Sequence, residues 1–573
     1  MNGPAIIGVN GPVVEVEGMD DARVLDLVEL GEQRLTGEVI ALRDGIAVVQ
    51  AHEYTGGLGP GAPAILGDGL LRGELGPGLL GGVFDGMLRR LDAMAERLAP
   101  GMHATALPQE RRWPFRPSVQ TGADVDQGAV LGTVRETEAI EARILVPPEL
   151  RGRVEWVADP GEYTVADAIA VVGGRELRLA QRWPLRRPRP VRQRIPASVP
   201  LITGQRAIDL LFPVARGSTA AVPGGFGTGK TVLLQQIAKW CDADVIVYVS
   251  CGERGNELAG VLEEISTLED PRTGRSLLDR TVLIANTSDM PLMAREVSVH
   301  AGATVAELYR DMGYDALVIA DSTSRWAEAL RELGSRTGEL PAEEGYPASL
   351  APTLASFYER ASRAQTLAGG VGSVSILGAV SPPGGDFGEP VTAHTARFVR
   401  NVWSLDRDLA YARHYPSVSW TASSSRDAAL VARWHAGEGD PAWGERRARA
   451  LRLLAEADRV QAVADLVGAA SLPDHERVVL MTGRLLREAV LQQSALSAND
   501  AWCATPKQAA LLELVLALHD QAIELVGRSV PAAHIEEADL SDAVRARDRV
   551  APDDTAGVQA IGRSLAARLE AVA

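Results

Sequence analysis

Gly224-Gly-Phe-Gly-Thr-Gly-Lys-Thr231 is the stretch on which the reading of this chain turns. It fits G-x-x-x-x-G-K-[ST], with Gly224, Gly229, Lys230 and Thr231 in the fixed places. Gly224, Gly225, Gly227 and Gly229 let the backbone curl round an anion, with Phe226 and Thr228 in the same loop. Successive N–H groups then point inward and form a nest for phosphate oxygens. Lys230 can bring a compact positive charge to the β- and γ-phosphates, and the Thr231 hydroxyl can ligate Mg²⁺. The pattern counts only where a strand enters it and a helix leaves it. Ser218-Thr-Ala-Ala-Val222 is a short apolar run ahead of it, and Val232, Leu233, Leu234, Ile237 and Trp240 make a helical face behind it. Both conditions hold.

Outward from the loop, residues 195 to 420 alternate strand-like and helix-like segments. Val245–Val249, Val282–Ala285, Ala316–Ala320 and Val374–Val380 are continuous apolar runs, as in a parallel sheet buried on both faces. Ser322-Thr-Ser324 is a ready N-cap, with Trp326, Leu330 and Leu333 following at i, i+4 and i+7. The class is therefore an α/β nucleotide-binding core of the P-loop, RecA-like kind.

Two strand ends in that core carry acids. Tyr314-Asp-Ala-Leu-Val-Ile-Ala-Asp321 is an apolar strand ending in a carboxylate, the Walker-B arrangement, in which Asp321 holds the Mg²⁺ shell through a water. A strand-end Asp can instead cap the helix that follows. Val245–Val249 leads into Ser-Cys-Gly-Glu253-Arg254-Gly-Asn-Glu257. A carboxylate at the carboxyl end of a parallel strand points into the ligand crevice, so Glu253 is placed to orient a water for in-line attack on the γ-phosphorus. Arg254 could pair with γ-phosphate oxygens; the bland alternative is a surface Glu-Arg-Gly turn, and Glu257 reads as structural. Tyr415, in His414-Tyr-Pro416, is a candidate ring for stacking an adenine.

The flanks read as separate modules. Residues 1–67 predict a small β-barrel, in which Val39–Leu42 meets Ile46–Val49 across Arg43-Asp44-Gly45, a hairpin signal. Residues 68–112 predict a Gly/Leu-rich connector and the first part of the core, with a helix over Val83–Leu98 presenting Val83, Met87, Leu91 and Met94 on one face. Residues 113–183, with β-rich runs at Ile144–Val146, Val154–Val157 and Ile169–Val172, predict an inserted β-rich module. The basic, Pro-rich run Arg182–Arg194 could bind nucleic acid or acidic partners. The reading preferred is an extended connector whose arginines pair with the chain's own carboxylates. The core spans 184–430. Residues 431–573 predict a C-terminal helical bundle, with Leu451, Leu454 and Leu466 on one helix and Leu511, Leu514, Val515, Leu518, Ala522 and Leu525 on another.

Composition narrows the function. A length of 573 residues with 46% hydrophobic content suits several cores, and a net charge of −17 argues against a general binder of nucleic acid or anionic membrane. Three cysteines without a CxxC pair fit a reduced, intracellular chain. The first residues lack the basic start and apolar stretch of a secretory signal. The longest uncharged run, Ala364–Gly385, is broken by Gly, Ser and Pro-Pro and predicts no membrane span. Work at a membrane would go through partners.

Taken together, these motifs resemble one family, the catalytic A subunit of V-type/A-type rotary ATPases. The resemblance rests on Gly11-Pro-Val-Val14, Glu74-Leu-Gly-Pro-Gly-Leu-Leu-Gly81, Trp113-Pro-Phe115 and Pro200-Leu-Ile-Thr-Gly-Gln-Arg206 together with the phosphate loop. It continues through Gly252-Glu-Arg-Gly-Asn-Glu257, Asn286-Thr-Ser288, Asp311-Met-Gly-Tyr-Asp315, Ala320–Leu330 and Glu343-Glu-Gly-Tyr-Pro347. Gly378-Ala-Val-Ser-Pro-Pro-Gly-Gly-Asp-Phe387 and Gln492-Gln493 complete it. The inserted β module is part of the likeness, since F-type β subunits and flagellar or secretion ATPases lack it.

The resemblance implies ATP hydrolysis or synthesis, with ATP and ADP as substrate and product and Mg²⁺ as cofactor. It implies an alternating A3B3 ring with non-catalytic B subunits, a central shaft and peripheral stalk, and a membrane ring carrying protons or sodium ions. The place would be the cytoplasmic, inner face of the cell membrane, held there through the complex. By similarity Lys230 and Thr231 bind phosphate and Mg²⁺, Glu253 activates water, Arg254 contacts the γ-phosphate and Tyr415 packs on adenine. An arginine finger would come from the B partner. Two positions depart from the family pattern: Gly225 stands where Pro is usual, and Leu496 stands at the second adenine-packing position, usually aromatic. A non-catalytic ring component is disfavoured because Lys230, Thr231, Glu253 and Asp321 are all present. A hexameric RNA translocase is disfavoured because it needs a basic face.

Overall fold

The computed structural model describes residues 3–91, 105–270, 273–288 and 290–572. The chain divides into two compact units. One comprises Met1–Pro196, Ala243–Val380 and Gly388–Phe398; the other comprises Ala197–Asp242, Ser381–Phe387 and Val399–Ala573.

The first unit opens with a six-stranded antiparallel sheet in the order Ala5–Asn10, Val13–Glu17, Ile46–Ala51, Leu35–Arg43, Asp26–Leu30, Ala64–Leu70. Ala5 bridges to Pro63, and Ile6 N–H donates to Ala62 O, which closes the sheet into a barrel. Alternation decides its inside: along Val13–Glu17, Val14 and Val16 are buried while Glu15 and Glu17 face out. Val14, Val28, Leu30, Leu35, Val39 and Val49 fill the centre. The Asp44-Gly45 turn has φ of 47° and 79°, the left-handed pair that a tight two-residue hairpin requires.

The inserted module consists of two four-stranded antiparallel sheets. One runs through Asp124–Val125, Gly152–Val157, Ala168–Val172 and Arg175–Arg178. The other runs through Glu141–Leu145, Val130–Arg135, Trp113–Pro117 and Gly161–Tyr163. Glu136 fastens the module to its surroundings. Its buried carboxylate accepts from the Gly78 and Leu80 N–H groups at 2.8 and 3.1 Å and from the Tyr309 hydroxyl.

The core strands of this unit are parallel, in the order Val371–Val380, Asp315–Asp321, Val245–Glu253, Thr281–Thr287, Val83–Phe84. The predicted helix over Val83–Leu98 does not begin there. Val83–Phe84 is an edge strand paired with Leu283–Ile284, because Phe84 is buried against the sheet and the Asp85 carboxylate takes the Met87 and Arg89 N–H groups. That local turn competes with a helical one. Residues 92–98 of that expectation lie outside the described residues.

Within the Arg182–Arg194 run, Arg186, Arg187 and Arg189 pair with the chain's own acids. Arg186 bridges Glu38 of the barrel and Glu296 of the Leu292–Asp311 helix, and Arg189 Nε lies 2.6 Å from Asp311. Beside them Arg360 holds Glu307 through contacts of 2.6 and 3.0 Å, all of it buried. Burial alone would raise the Glu307 carboxyl; Arg360, the nearby Arg310 charge and the Arg189 N–H together outweigh it, so the net shift is downward.

In the second unit, Thr219–Pro223 pairs in parallel with Asn401–Val402 and leads into the Lys230–Trp240 helix. The C-terminal helices Trp443–Val467, Asp474–Leu485, Thr505–Gly527, Ser541–Arg549 and Thr555–Glu570 follow. Leu511, Leu514, Val515, Leu518, Ala522 and Leu525 are all buried, as their spacing predicts. Leu466 is not core: it is 85% exposed, one residue from the end of its helix, while Leu454 is fully buried.

Candidate functional site

In the second unit, the loop is tightly curled for reasons local to its residues. Gly227 and Gly229 have φ of 79° and 85°, left-handed values that only glycine adopts cheaply. A side chain on Gly224 would lie 2.7 Å from Thr228 Oγ1 and 2.9 Å from Leu405 Cβ. The Thr228 hydroxyl is spent within the loop, donating to Gly225 O at 2.8 Å. Lys230 Nζ donates to the carbonyls of Gly224 and Gly225, which places its charge inside the curl. Thr231 follows in the first turn of the Lys230–Trp240 helix, whose N-terminus favours anions. Phe226 is fully exposed at the loop tip.

The Tyr415 ring borders this loop. Its Cε1 stands 3.7 Å from where a Cβ of Gly229 would be, and Ser417 Oγ donates to Thr228 O at 2.7 Å. Tyr415 is 44% exposed. Beside it, burial with the charges of Arg487 and Arg547 lowers His414 to about 4. Leu496, at the second adenine-packing position, is 99% exposed.

In the first unit, Asp321 ends its strand opposite Ser250, and Glu253 lies three residues beyond Ser250 on the neighbouring strand. Tyr248 donates its hydroxyl to Asp321 Oδ2 at 3.0 Å. Burial, then the Asp321 charge, keep that phenol well above its ordinary pKa, so it stays a neutral donor. The pairing register shifts between Cys251 and Glu253, with Gly252 at φ 77°, a bulge of the kind that re-aims side chains near sites. Glu253 is partly buried there; Arg254 is exposed at the N-cap of the Gly255–Thr267 helix. Ser322 occupies the N-cap position of the Thr323–Thr337 helix, but its hydroxyl makes no capping bond.

Two arginines that the sequence does not single out flank this strand end. A Cβ on Gly252 would lie 3.2 Å from Arg295 Cδ and 3.6 Å from Arg325 Cβ. Arg325 pairs with Glu328 at 3.0 Å and Arg295 with Glu332 at 3.2 Å. A signal for Arg325 does exist: it stands four residues after Asp321, in the first turn of the helix that leaves a strand end.

Comparison with known proteins identifies the family. Four family models match in order. They are the beta-barrel domain of the ATP synthase alpha/beta family (residues 6–65), the ATP synthase alpha/beta subunit barrel-sandwich domain (104–186), the nucleotide-binding domain of the ATP synthase alpha/beta family (204–425), and the C-terminal domain of V and A type ATP synthase (432–534). The A subunit of the A-type ATP synthase of Thermofilum pendens is 46% identical, over 97% of this chain and 94% of that protein. This chain belongs to the A-subunit family of A- and V-type ATP synthases. Another member of the A-subunit family, from Methanopyrus kandleri, is 47% identical over 96% of this chain and 95% of its own length. The V-type ATP synthase alpha chain of Nitrosococcus oceani is 48% identical over 92% and 91%. The solved structure of the ATPase EscN from the enteropathogenic E. coli type III secretion system covers 89% of this chain and 99% of that one, with a TM-score of 0.65 at 21% identity, a likeness of fold.

Proposed function

We propose that this chain is the catalytic subunit of a rotary ATPase of the A/V type, hydrolysing or synthesising ATP in step with shaft rotation and with proton or sodium transport. The observation that carries the reading is the phosphate loop in its anion-holding form, with Lys230 inside the curl and Tyr415 against Gly229. Family membership supports the rest.

In this reading the loop N–H groups and Lys230 neutralise the β- and γ-phosphates, and Tyr415 stacks on the adenine. Glu253 orients the attacking water and holds its proton, a role worth about 10²–10⁴ in rate. Arg254 contacts γ-phosphate oxygens. Thr231 and Asp321 offer a hydroxyl and a carboxylate, hard oxygen donors that suit Mg²⁺, with Asp321 acting through a water. When bound, Mg²⁺ would supply charge neutralisation at the phosphates.

The partners proposed are B subunits in an alternating A3B3 ring, a central shaft and a peripheral stalk, with a membrane ring reached indirectly. The chain would then sit at the inner face of the cell membrane through the complex. No helix among the described residues is long and apolar enough to cross a membrane. Lys230→Ala tests the loop: the variant should lose ATP affinity in a titration of the full chain, and unchanged affinity would refute the role.

A further inference from the structure

Arg206 is fully buried, 294 positions in sequence from its ion-pair partner Asp500, and four of its hydrogen bonds converge on the short segment 490–500, with Cys503 beside them. Its backbone N–H donates to Gln493 Oε1 at 2.9 Å. Its Nε donates to Val490 O, its Nη2 to Gln492 O and its Nη1 to Asp500 Oδ1, each at 2.6 Å. Asp500 is equally buried and uses its other oxygen to accept from Ser494 N–H at 2.7 Å. Five-donor guanidinium geometry suits this fork; a lysine carries its donors on a single atom and cannot span the three acceptors that the Arg206 side chain reaches.

The segment held in this way reaches the base platform. Gln493 N–H donates to Tyr415 O at 2.7 Å, and the Gln492 side chain donates to Arg413 O at 3.2 Å, so both ends of the Arg413-His-Tyr415 turn hang on residues that Arg206 fixes. Gln493 also returns to the start of the chain segment, donating through Nε2 to Gly204 O at 2.9 Å. Arg547 braces the same carbonyls, donating to Glu488 O at 2.7 Å and to Gln492 O at 3.2 Å. Its hydrogen bonds run to residues 204, 413, 415 and 488–500, whereas the Tyr415 ring lies against Gly229 of the phosphate loop.

We infer that Arg206 and Asp500 form a buried clamp that positions Tyr415, and so set the affinity for the base of the nucleotide while leaving its phosphates to the loop. The clamp rests on the reading of Tyr415 as the adenine-stacking ring. Arg206 and Asp500 are positioning residues: neither touches the nucleotide. Of the two, Arg206 contributes geometry and Asp500 keeps its charge satisfied; removing one alone leaves the other charged and buried.

The test compares two probes, ATP and inorganic tripolyphosphate, each with Mg²⁺, titrated into the full chain. Tripolyphosphate has no base and reports the loop alone. Arg206→Lys should weaken ATP binding about tenfold, within the range of a lost base–aromatic stack. Its tripolyphosphate affinity should stay within about twofold of the parent, since the loop keeps its own donors. Should Arg206→Lys fail to fold, Arg206→Met combined with Asp500→Leu removes both charges together and is expected to fold and show the same selective loss. Equal losses for the two probes would reduce the clamp to general structural support, and unchanged ATP affinity would overturn it. Tyr415→Ala separates the two layers. If it weakens ATP selectively while the clamp variants do not, the clamp fails alone; if it leaves ATP binding unchanged, the stacking role of Tyr415 fails first.

Discussion

Gly224→Ala is the most informative single methyl group that can be added to this chain. The new Cβ would lie 2.7 Å from Thr228 Oγ1 and 2.9 Å from Leu405 Cβ, both inside the closest approach that real side chains make. Neither neighbour can step aside freely. The Thr228 hydroxyl is buried and bonded to Gly225 O, and Leu405 N–H is held to Pro223 O at 2.8 Å. Over-packing of this kind costs about 1–3 kcal/mol. Breaking the Thr228 bond to relieve it costs a similar amount, about 0.5–1.5 kcal/mol. If the strain falls on the anion-holding shape of the loop, ATP affinity drops by about 5- to 150-fold. Titration with ATP and with tripolyphosphate should show the same loss for both, since the damage is to the phosphate nest and not to the base platform. Adding Thr228→Gly should recover part of the affinity by removing the nearer clash. Wild-type affinity for Gly224→Ala would refute the argument that this glycine is required by close packing.

Two further outcomes concern stability and pH. Glu307→Gln leaves the buried Arg360 guanidinium without its counter-charge and should cost about 3–5 kcal/mol in chemical denaturation; a loss below about 1 kcal/mol, the level of an exposed pair, would contradict a buried network. His414, lowered to about 4 first by burial and then by Arg487 and Arg547, stays neutral in the folded chain while the unfolded chain protonates near 6.5. Its contribution to stability is therefore complete above pH 6.5 and is lost as pH falls from there towards 4. His414→Gln should flatten that part of the stability profile, and an unchanged slope between about pH 4.5 and 6.5 would remove His414 as its source.

Much of the site is legible because its signals are local. The phosphate loop depends on φ values that only glycine reaches cheaply, and the spacing of Gly224, Gly229, Lys230 and Thr231 carries that requirement in eight residues. The Asp44-Gly45 hairpin is legible for the same reason. Charge balance alone points the arginines of residues 182–194 towards the chain's own acids, and Arg186 and Arg189 do pair in that way. What escapes is decided by distant neighbours or by one competing hydrogen bond. Val83–Phe84 has a helical apolar spacing, yet the edge of the parallel sheet and the Asp85 turn take it into a strand. Leu466 keeps the period of its helix but lies beyond the neighbours that cover Leu454. Arg206 cannot be ranked among dozens of basic residues, because its partners are nearly 300 positions away. Arg295 is hidden for a similar reason: it is brought to the Glu253 strand end by packing against Gly252.

In the proposed function, the Glu253 carboxylate at the end of the Val245–Glu253 strand readies water for attack on a triphosphate held by the loop. Glu253→Gln in the assembled complex tests it most directly, because the amide keeps the shape and gives up the proton acceptor. Mg-ATP affinity should stay within about twofold of the parent while turnover falls by about 10²–10⁴. Near-normal turnover with normal binding would contradict the account, and Glu253 would have to be removed from the chemistry.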